Sequence, residues 1–541
     1  MAVTAGERRI VSVLVADVAG STSIAEKLGP ERSKFLFDDV VRLMREEVER
    51  FGGTVAQLTG DGVLALFGAP TAHENDSERA VRAALAIREA LGAYAAEVAP
   101  AYRFELDSRV AVNTGPVVVP AGDAPPDVLY NALGDTVNVA ARLQALSDLV
   151  LGPTTAHQVD ELFELEELGD LELKGKSEPV AAFRVVGIRE GLPARTETPL
   201  VGRDNELSAL SEVFEGLLEG RGAIVSITGE PGIGKSRLVG EVQQRFAGRV
   251  RFLAGHAVSY AEAIAYWPVR ELLRNWLDLG VSDSEARIRL ELRAELARSL
   301  ALDADEAYPF LAGVLGLVLE QKHEQRLRDL ASEAVQHQTF DWTYQLVCAL
   351  ARERPLCLVL EDVHWSDEAT LSLLEELLPA AEQEAIGFML IHRSDPDHPA
   401  WQLIDRARRR FRGSFLELEL EPLTAGETQA LAEAEAGAEL AEELAHALAE
   451  RAGGNPYFVG EALRDLRERG VLERENGQVA LVGEASIPAA LQEALQARLD
   501  RLDADARELV TTASVIGDSF GLPLLERLLP RVRLLSTLSE L

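Results

Sequence analysis

The chain has 541 residues, 47% of them hydrophobic and 26% charged, a composition that supports folded globular domains and excludes a disordered or collagen-like polymer. At about 150 residues per domain it is too long for one core and reads as three or four folded units. Its 54 basic and 89 acidic residues leave a formal net charge of -35, a field that repels nucleic acid and anionic membranes and so disfavours direct DNA binding. No apolar run reaches the roughly 18 residues that cross a bilayer, and the N-terminus lacks the apolar core and cleavage site of a secretory signal. These features point to the cytoplasm and to no membrane partner. Cys348 and Cys357 fit that compartment, Cys357 as a small buried thiol in the apolar run LCLVL.

Residues 9–188 alternate strand and helix patterns. The run VSVLVADVAGST sets Asp17 at the end of a strand, and the strands TVAQL and VLALFG are joined by Thr59-Gly60-Asp61-Gly62. Two aspartates at strand ends suit the pair of divalent ions that serves phosphoryl chemistry on a nucleoside triphosphate. Further on, GDTVNVAARLQAL reads as a helix on which Asn138 and Arg142, four apart, share a face. An amide and a guanidinium there could reach one phosphate, although such a pair taken alone is more often a solvated helix face. The stretch GIREGLPARTETP then marks a linker over 189–198.

From residue 199 the pattern becomes strand, Gly-rich loop and helix: AIVSITG, then Gly229-Glu-Pro-Gly232-Ile-Gly234-Lys235-Ser236, then RLVGEVQQRF. This matches G-x-x-x-x-G-K-[ST] in full and in the right context. The glycines let backbone N–H groups face phosphates at a helix N-terminus, Lys235 supplies charge to the terminal phosphates, and the Ser236 hydroxyl can ligate magnesium. A second acidic element is expected at the end of a neighbouring buried strand, and LCLVL followed by Glu361-Asp362 supplies it. Either carboxylate could anchor magnesium through water while the other orients the attacking water. A helical insert spans about 258–350, and the P-loop domain runs over 199–420. The region 421–541 is helical, with an acidic, solvated helix face at 431–450 and a hairpin about Asn476-Gly477 that suggests a winged helix. The closing run LLPRVRLLSTLSEL could continue, so this last domain reads as incomplete.

Through LVGRDNEL, GEPGIGKS, LVLEDVHWSDEATL, Arg393 after a strand, GGNPYF and IPAALQEALQARLDRL, residues 199–520 resemble the signal-transduction (STAND) P-loop ATPases. The resemblance implies a nucleotide-operated switch in which His364, Trp365 and Asp367 shape the magnesium side and Arg393 senses phosphate. It also implies that Gly454-Asn455-Pro456 couples nucleotide state to the winged helix. Glu361 stands where many relatives carry Asp.

Through VADVAGST, GGTVAQLTGDGVLALFG, VAVNTGPVV, GDTVNVAARL and LKGKSEPVAAFRV, residues 9–188 resemble the class III nucleotidyl cyclases. That implies a ferredoxin-like α+β domain in which Asp17 and Asp61 hold Mg2+ or Mn2+, Asn138 orients the ribose and Arg142 stabilises the transition state. Lys174 or Lys176 would meet the terminal phosphates. Gln57 and Asn131 would read the base, where adenylyl cyclases usually have Lys and Asp or Thr; an amide can satisfy adenine or guanine. In this family one site draws on two chains, which implies a homodimer. The sequence thus reads as an α/β multidomain adenylate cyclase, with guanylyl cyclase or an inactive cyclase-like module as alternatives. Its ATP-binding switch would answer to a signal that the sequence does not name.

Overall fold

Residues 8–18 are rich in β-branched side chains, and Val11, Val13, Leu14, Ala16 and Val18 are all buried. A run covered on both faces belongs in the middle of a sheet. In the computed structural model it is β1 (Gly6–Val18), flanked by β2 (Thr54–Thr59), β3 (Gly62–Phe67), β4 (Ser108–Pro120), β5 (Leu149–Leu151), β6 (Phe163–Leu171) and β7 (Val180–Ile188) in the order β2-β3-β1-β4-β5-β7-β6. The structure describes residues 6–529 apart from 74, 103–105, 121–133, 147–148, 161, 173–178, 190–198, 259–263, 281–282, 394–397, 469, 476–477, 482–495, 497–498, 501, 503 and 517–521. The chain forms two compact units, Met1–Ile188 with Ile487–Leu541, and Arg189–Ser486. The stretch 421–541, which the sequence presents as one region, is therefore divided at 486/487.

In the first unit β1 pairs antiparallel with β3 from Ser12↔Phe67 to Asp17↔Gly62 and with β4 from Gly6↔Pro120 to Val18↔Ser108. Helices Pro30–Arg50 and Asp76–Tyr102 form the two crossovers. The spatial order β2-β3-β1-β4 with those crossovers is the ferredoxin-like arrangement that the resemblance implies. Helix Asp135–Gln144 sets Ala140 against Val11, Val13, Leu66, Val117 and Val119. Each large apolar side chain so buried contributes roughly 1.5–3 kcal/mol.

The second unit is built on β8 (Ala223–Gly229), β9 (Arg251–His256), β10 (Leu356–Glu361), β11 (Ile386–His392) and β12 (Phe415–Leu420), all parallel, in the order β12-β8-β11-β10-β9. β10 and β11 are buried at every residue, which explains why their sequences show no alternation. Cys357 lies in that core, where burial pushes its thiol well above the ordinary value. Helices Ala425–Ala436, Glu442–Ala452 and Pro456–Glu468 share a smaller core with the hairpin of β13 (Leu472–Glu475) and β14 (Gln478–Leu481). The hairpin's turn, Asn476-Gly477, lies outside the described residues. Among the described residues no helix is long and apolar enough to cross a membrane.

Candidate functional site

The first candidate site lies at one end of the β1/β3 pair. Asp17 is the penultimate residue of β1, and Asp61 sits in the turn that leads into β3, where its carbonyl accepts a hydrogen bond from Val18 N at 3.1 Å. Gly62 makes this approach possible. A Cβ there would stand 2.1 Å from Ala16 O and 2.9 Å from Asp17 Cα, so any side chain would drive the strand ends apart. Two carboxylates on adjoining backbone suit hard divalent cations. Among the described residues no group of three or more His, Cys, Asp or Glu is arranged to hold a metal ion. A cleft lined by Thr22, Lys34, Phe37, Asp38 and Gly60 opens beside the same turn.

The motif reading missed Arg109. It stands directly across the β1–β4 ladder from Asp17 and donates Nε to Oδ1 and Nη2 to Oδ2, both at 3.0 Å, a two-pronged charged pair. The guanidinium thus compensates the charge of Asp17. Asn138 is exposed and Arg142 half-buried, both off the buried stripe of Thr136, Val139, Ala140 and Leu143 on their helix. Among the described residues no hydrogen bond or ion pair joins either of them to Asp17 or Asp61. Gln57 is exposed on β2, while Asn131, Lys174 and Lys176 lie outside the described residues.

The second candidate site lies at the carboxyl ends of the parallel strands, where open α/β sheets place ligands. The loop from Gly229 ends in the left-handed Gly234, which caps helix Lys235–Phe246. Ser236 Oγ donates to Glu361 Oε2 at 2.5 Å, and Glu361 is buried at the end of β10. The hydroxyl and the carboxylate are therefore already together, and both can hold magnesium, directly or through water. Lys235 Nζ is folded onto its own loop, donating to Gly229 O at 2.8 Å and Glu230 O at 2.9 Å. β10 is not the immediate neighbour of the loop strand, since β11 lies between them with Arg393 just beyond its end.

Three successive loop carbonyls are held from outside the loop. Asn455 Nδ2 donates to Pro231 O at 2.8 Å, Tyr457 N to Gly232 O at 3.3 Å, and Arg203 Nη2 to Ile233 O at 3.2 Å. Gly232, at φ +73°, has no room for a side chain, because a Cβ would meet Tyr457 Cβ at 2.7 Å. Arg203 also donates to Glu421 O at 2.7 Å, which ties the loop to the chain entering the helical body.

Burial raises the Asp362 carboxyl, and Glu361 beside it adds to the shift while Arg393 opposes it. Burial also disfavours charge on His256, but Glu361 and Glu271 overcome this and hold the imidazole up at about 9. His256 faces Glu361 across the β9–β10 register, with Nε2 3.7 Å from Oε1. His364 is held down at about 3 by burial and by the cations about it, chiefly Arg393, so it is a neutral imidazole. Asp367 caps helix Glu368–Leu377, accepting from Thr370 N at 2.9 Å and from Tyr266 N at 3.1 Å. That carboxylate shapes the site as a brace for the backbone.

The family described as Adenylate and Guanylate cyclase catalytic domain matches residues 3–186, and that described as AAA ATPase domain matches residues 199–391. A domain of unknown function matches residues 424–480. The chain therefore carries a class III nucleotidyl cyclase domain joined to a P-loop ATPase domain. It is 28% identical over 98% of its length to an uncharacterized protein of Rhizobium meliloti (strain 1021), of which it covers 50%. Over 34% of its length it is 33% identical to Adenylate cyclase 1 of the same organism, covering 28% of that protein. Among solved structures, the adenylyl cyclase CyaB from P. aeruginosa aligns over 35% of this chain and 99% of its own, at 26% identity and a TM-score of 0.32. The guanylyl cyclase Cya2 aligns over 34% of this chain and 95% of its own, at 29% identity and a TM-score of 0.31. The chain spans half or less of the length of these curated relatives.

Proposed function

We propose that the chain converts ATP to cyclic AMP and pyrophosphate in a homodimer and that its nucleotide-binding STAND-type module regulates this output. The observation that carries the reading is the adjacency of Asp17 and Asp61, two carboxylates on touching backbone beside an open cleft. Mg2+ or Mn2+ held by this pair would supply Lewis acidity at the α-phosphorus and acidify the ribose 3'-hydroxyl. Asp17 and Asp61 bind and orient, and the 3'-oxygen attacks the α-phosphorus as the bond to pyrophosphate breaks. The hydroxyl proton leaves to solvent, and pyrophosphate carries the negative charge away.

Asn138 positions the ribose and Arg142 neutralises charge on the reacting phosphate. Both project from the solvent-facing side of their helix, which suits donation to the site of a second chain. Lys174 or Lys176 holds the terminal phosphates, and Gln57 with Asn131 reads the base. ATP is favoured by the relative named Adenylate cyclase 1, which matches the cyclase region at 33% identity. Guanylyl cyclase is the second reading, because the amides of Gln57 and Asn131 can satisfy guanine as well.

In the second module Lys235, Ser236, Glu361 and Asp362 bind ATP with magnesium, and Arg393 senses its terminal phosphate. The test is incubation of the purified chain with Mn2+ and either ATP or GTP, followed by separation of cyclic from linear products. Cyclic AMP formation that disappears in Asp17→Ala supports the reading. Cyclic GMP alone selects the second reading, and no cyclic product from either nucleotide overturns both.

A further inference from the structure

Arg9 and Asp500 are 491 positions apart in sequence, yet within the first unit they form a two-pronged ion pair. Arg9 Nη1 donates to Asp500 Oδ2 at 2.7 Å and Nη2 to Oδ1 at 3.3 Å, and the two side chains are only 9% and 5% exposed. The carboxylate also accepts from Ala72 N at 3.0 Å and from Gln496 at 3.1 Å. Arg9 Nη1 donates in addition to Pro70 O at 2.6 Å. Arg507 donates to the carbonyls of Leu499 and Asp500, at 3.0 and 2.7 Å, and so fixes the backbone that presents the carboxylate. A buried charge with this many donors is a built socket, because a buried carboxylate persists only when its hydrogen bonds are met.

Leu509, Leu525 and Leu529 pack together with Ala513 and Ile516, and among the described residues none of these joins the clusters of the cyclase sheet. Among the described residues this polar plug of Arg9, Asp500, Ala72 N and Gln496 joins the tail to the cyclase domain.

The plug also sits at a mechanically meaningful place. It grips β1 at Arg9 and the turn just after β3 at Pro70 and Ala72, whereas Asp17 and Asp61 occupy the other ends of that same antiparallel strand pair. The second unit, Arg189–Ser486, lies in sequence between the two parts of the first. It is therefore tied to the cyclase domain by chain at two points, directly after residue 188 and directly before residue 487.

We infer that the edge made by Arg9 and the 70–72 turn is a docking surface for the chain's own Asp500 and the helix Ala504–Ile516 that follows it, and that the ATPase module acts on the cyclase domain through it. The docking goes beyond the proposed cyclase reaction, while its effect on output rests on that reading.

The experiment uses the full-length chain and two readouts. In hydrogen exchange, Asp500→Ala should speed exchange of the amides of 504–516 about tenfold, and Arg9→Ala should do the same, with the double variant no worse than either single one. The milder Asp500→Asn, which keeps an acceptor for Ala72 N, should fall between them and the parent chain. In cyclase assays, Lys235→Ala should change the rate about threefold or more in the parent chain and less than about 1.5-fold in the Asp500→Ala background. Unchanged tail exchange in all three variants, or additive effects of the two alanines, overturns the docking. An equal effect of Lys235→Ala in both backgrounds, or none in the parent chain, overturns the coupling. Absence of cyclic product from the parent chain, with tail exchange behaving as expected, removes the cyclase reading and leaves the docking standing.

Discussion

The two candidate sites differ in how much of their chemistry one chain supplies. In the ATPase module the hydroxyl of Ser236 already meets Glu361, and the loop is tied down at three carbonyls in a row. In the cyclase domain Asp17 is instead compensated by Arg109, while Asn138 and Arg142 face away from their own sheet. A phosphate loop is a local structure and can be organised by a single unit. On the proposed reading the cyclase site draws on two chains, so its activity should depend on association in a way that nucleotide binding by the P-loop does not.

The strongest way to break this comparison is Asp17→Ala, for which we expect loss of cyclic nucleotide formation by about a hundredfold or more while the P-loop module still binds nucleotide. If both activities fall together, the sites are not separate. Next in size, Glu361→Gln should reduce phosphate release by about a hundredfold, leave nucleotide affinity within about threefold, and leave the metal requirement of the cyclase unchanged. Colorimetric phosphate release and fluorescent-nucleotide titration measure the two effects.

A smaller effect is expected for Gly62→Ala, whose Cβ would fall on Ala16 O. It should cost the first unit about 1–3 kcal/mol in urea unfolding without moving the transition of the second. The smallest concerns His256. Its folded-state value is about 9 against an ordinary 6.5, so the stability it lends is fully present below 6.5 and is lost as pH rises through about 9. In metal-free protein the unfolding midpoint of the second unit should fall over that interval, and His256→Gln should flatten the slope.

What could be read from the chain beforehand was whatever rests on neighbours in sequence. The phosphate loop is eight consecutive residues with strand before and helix after, and Asp17 and Asp61 are each marked by a strand that stops. The ferredoxin-like order was accessible through resemblance, since strand pairing itself is not written locally. Residues whose roles depend on register escaped. Arg109 is an unremarked arginine until the β1–β4 ladder sets it opposite Asp17, 92 positions away. His256 acquires its charge only because β9 lies beside β10 and turns it toward Glu361. Arg203 lies within LVGRDNEL, yet nothing in the order of residues says that its guanidinium holds Ile233 O and Glu421 O. The nearest available signal was its type, because an arginine that becomes buried must find several acceptors.

The central claim, that a working cyclase site needs groups from two chains, is tested most directly by mixing. Asp17→Ala and Arg142→Ala chains, each inactive alone and each dimeric, should together regain roughly a quarter of the parent activity, since half of the random dimers carry one intact site of two. Recovery near that level bears the account out. No recovery from folded, exchanging dimers would contradict it.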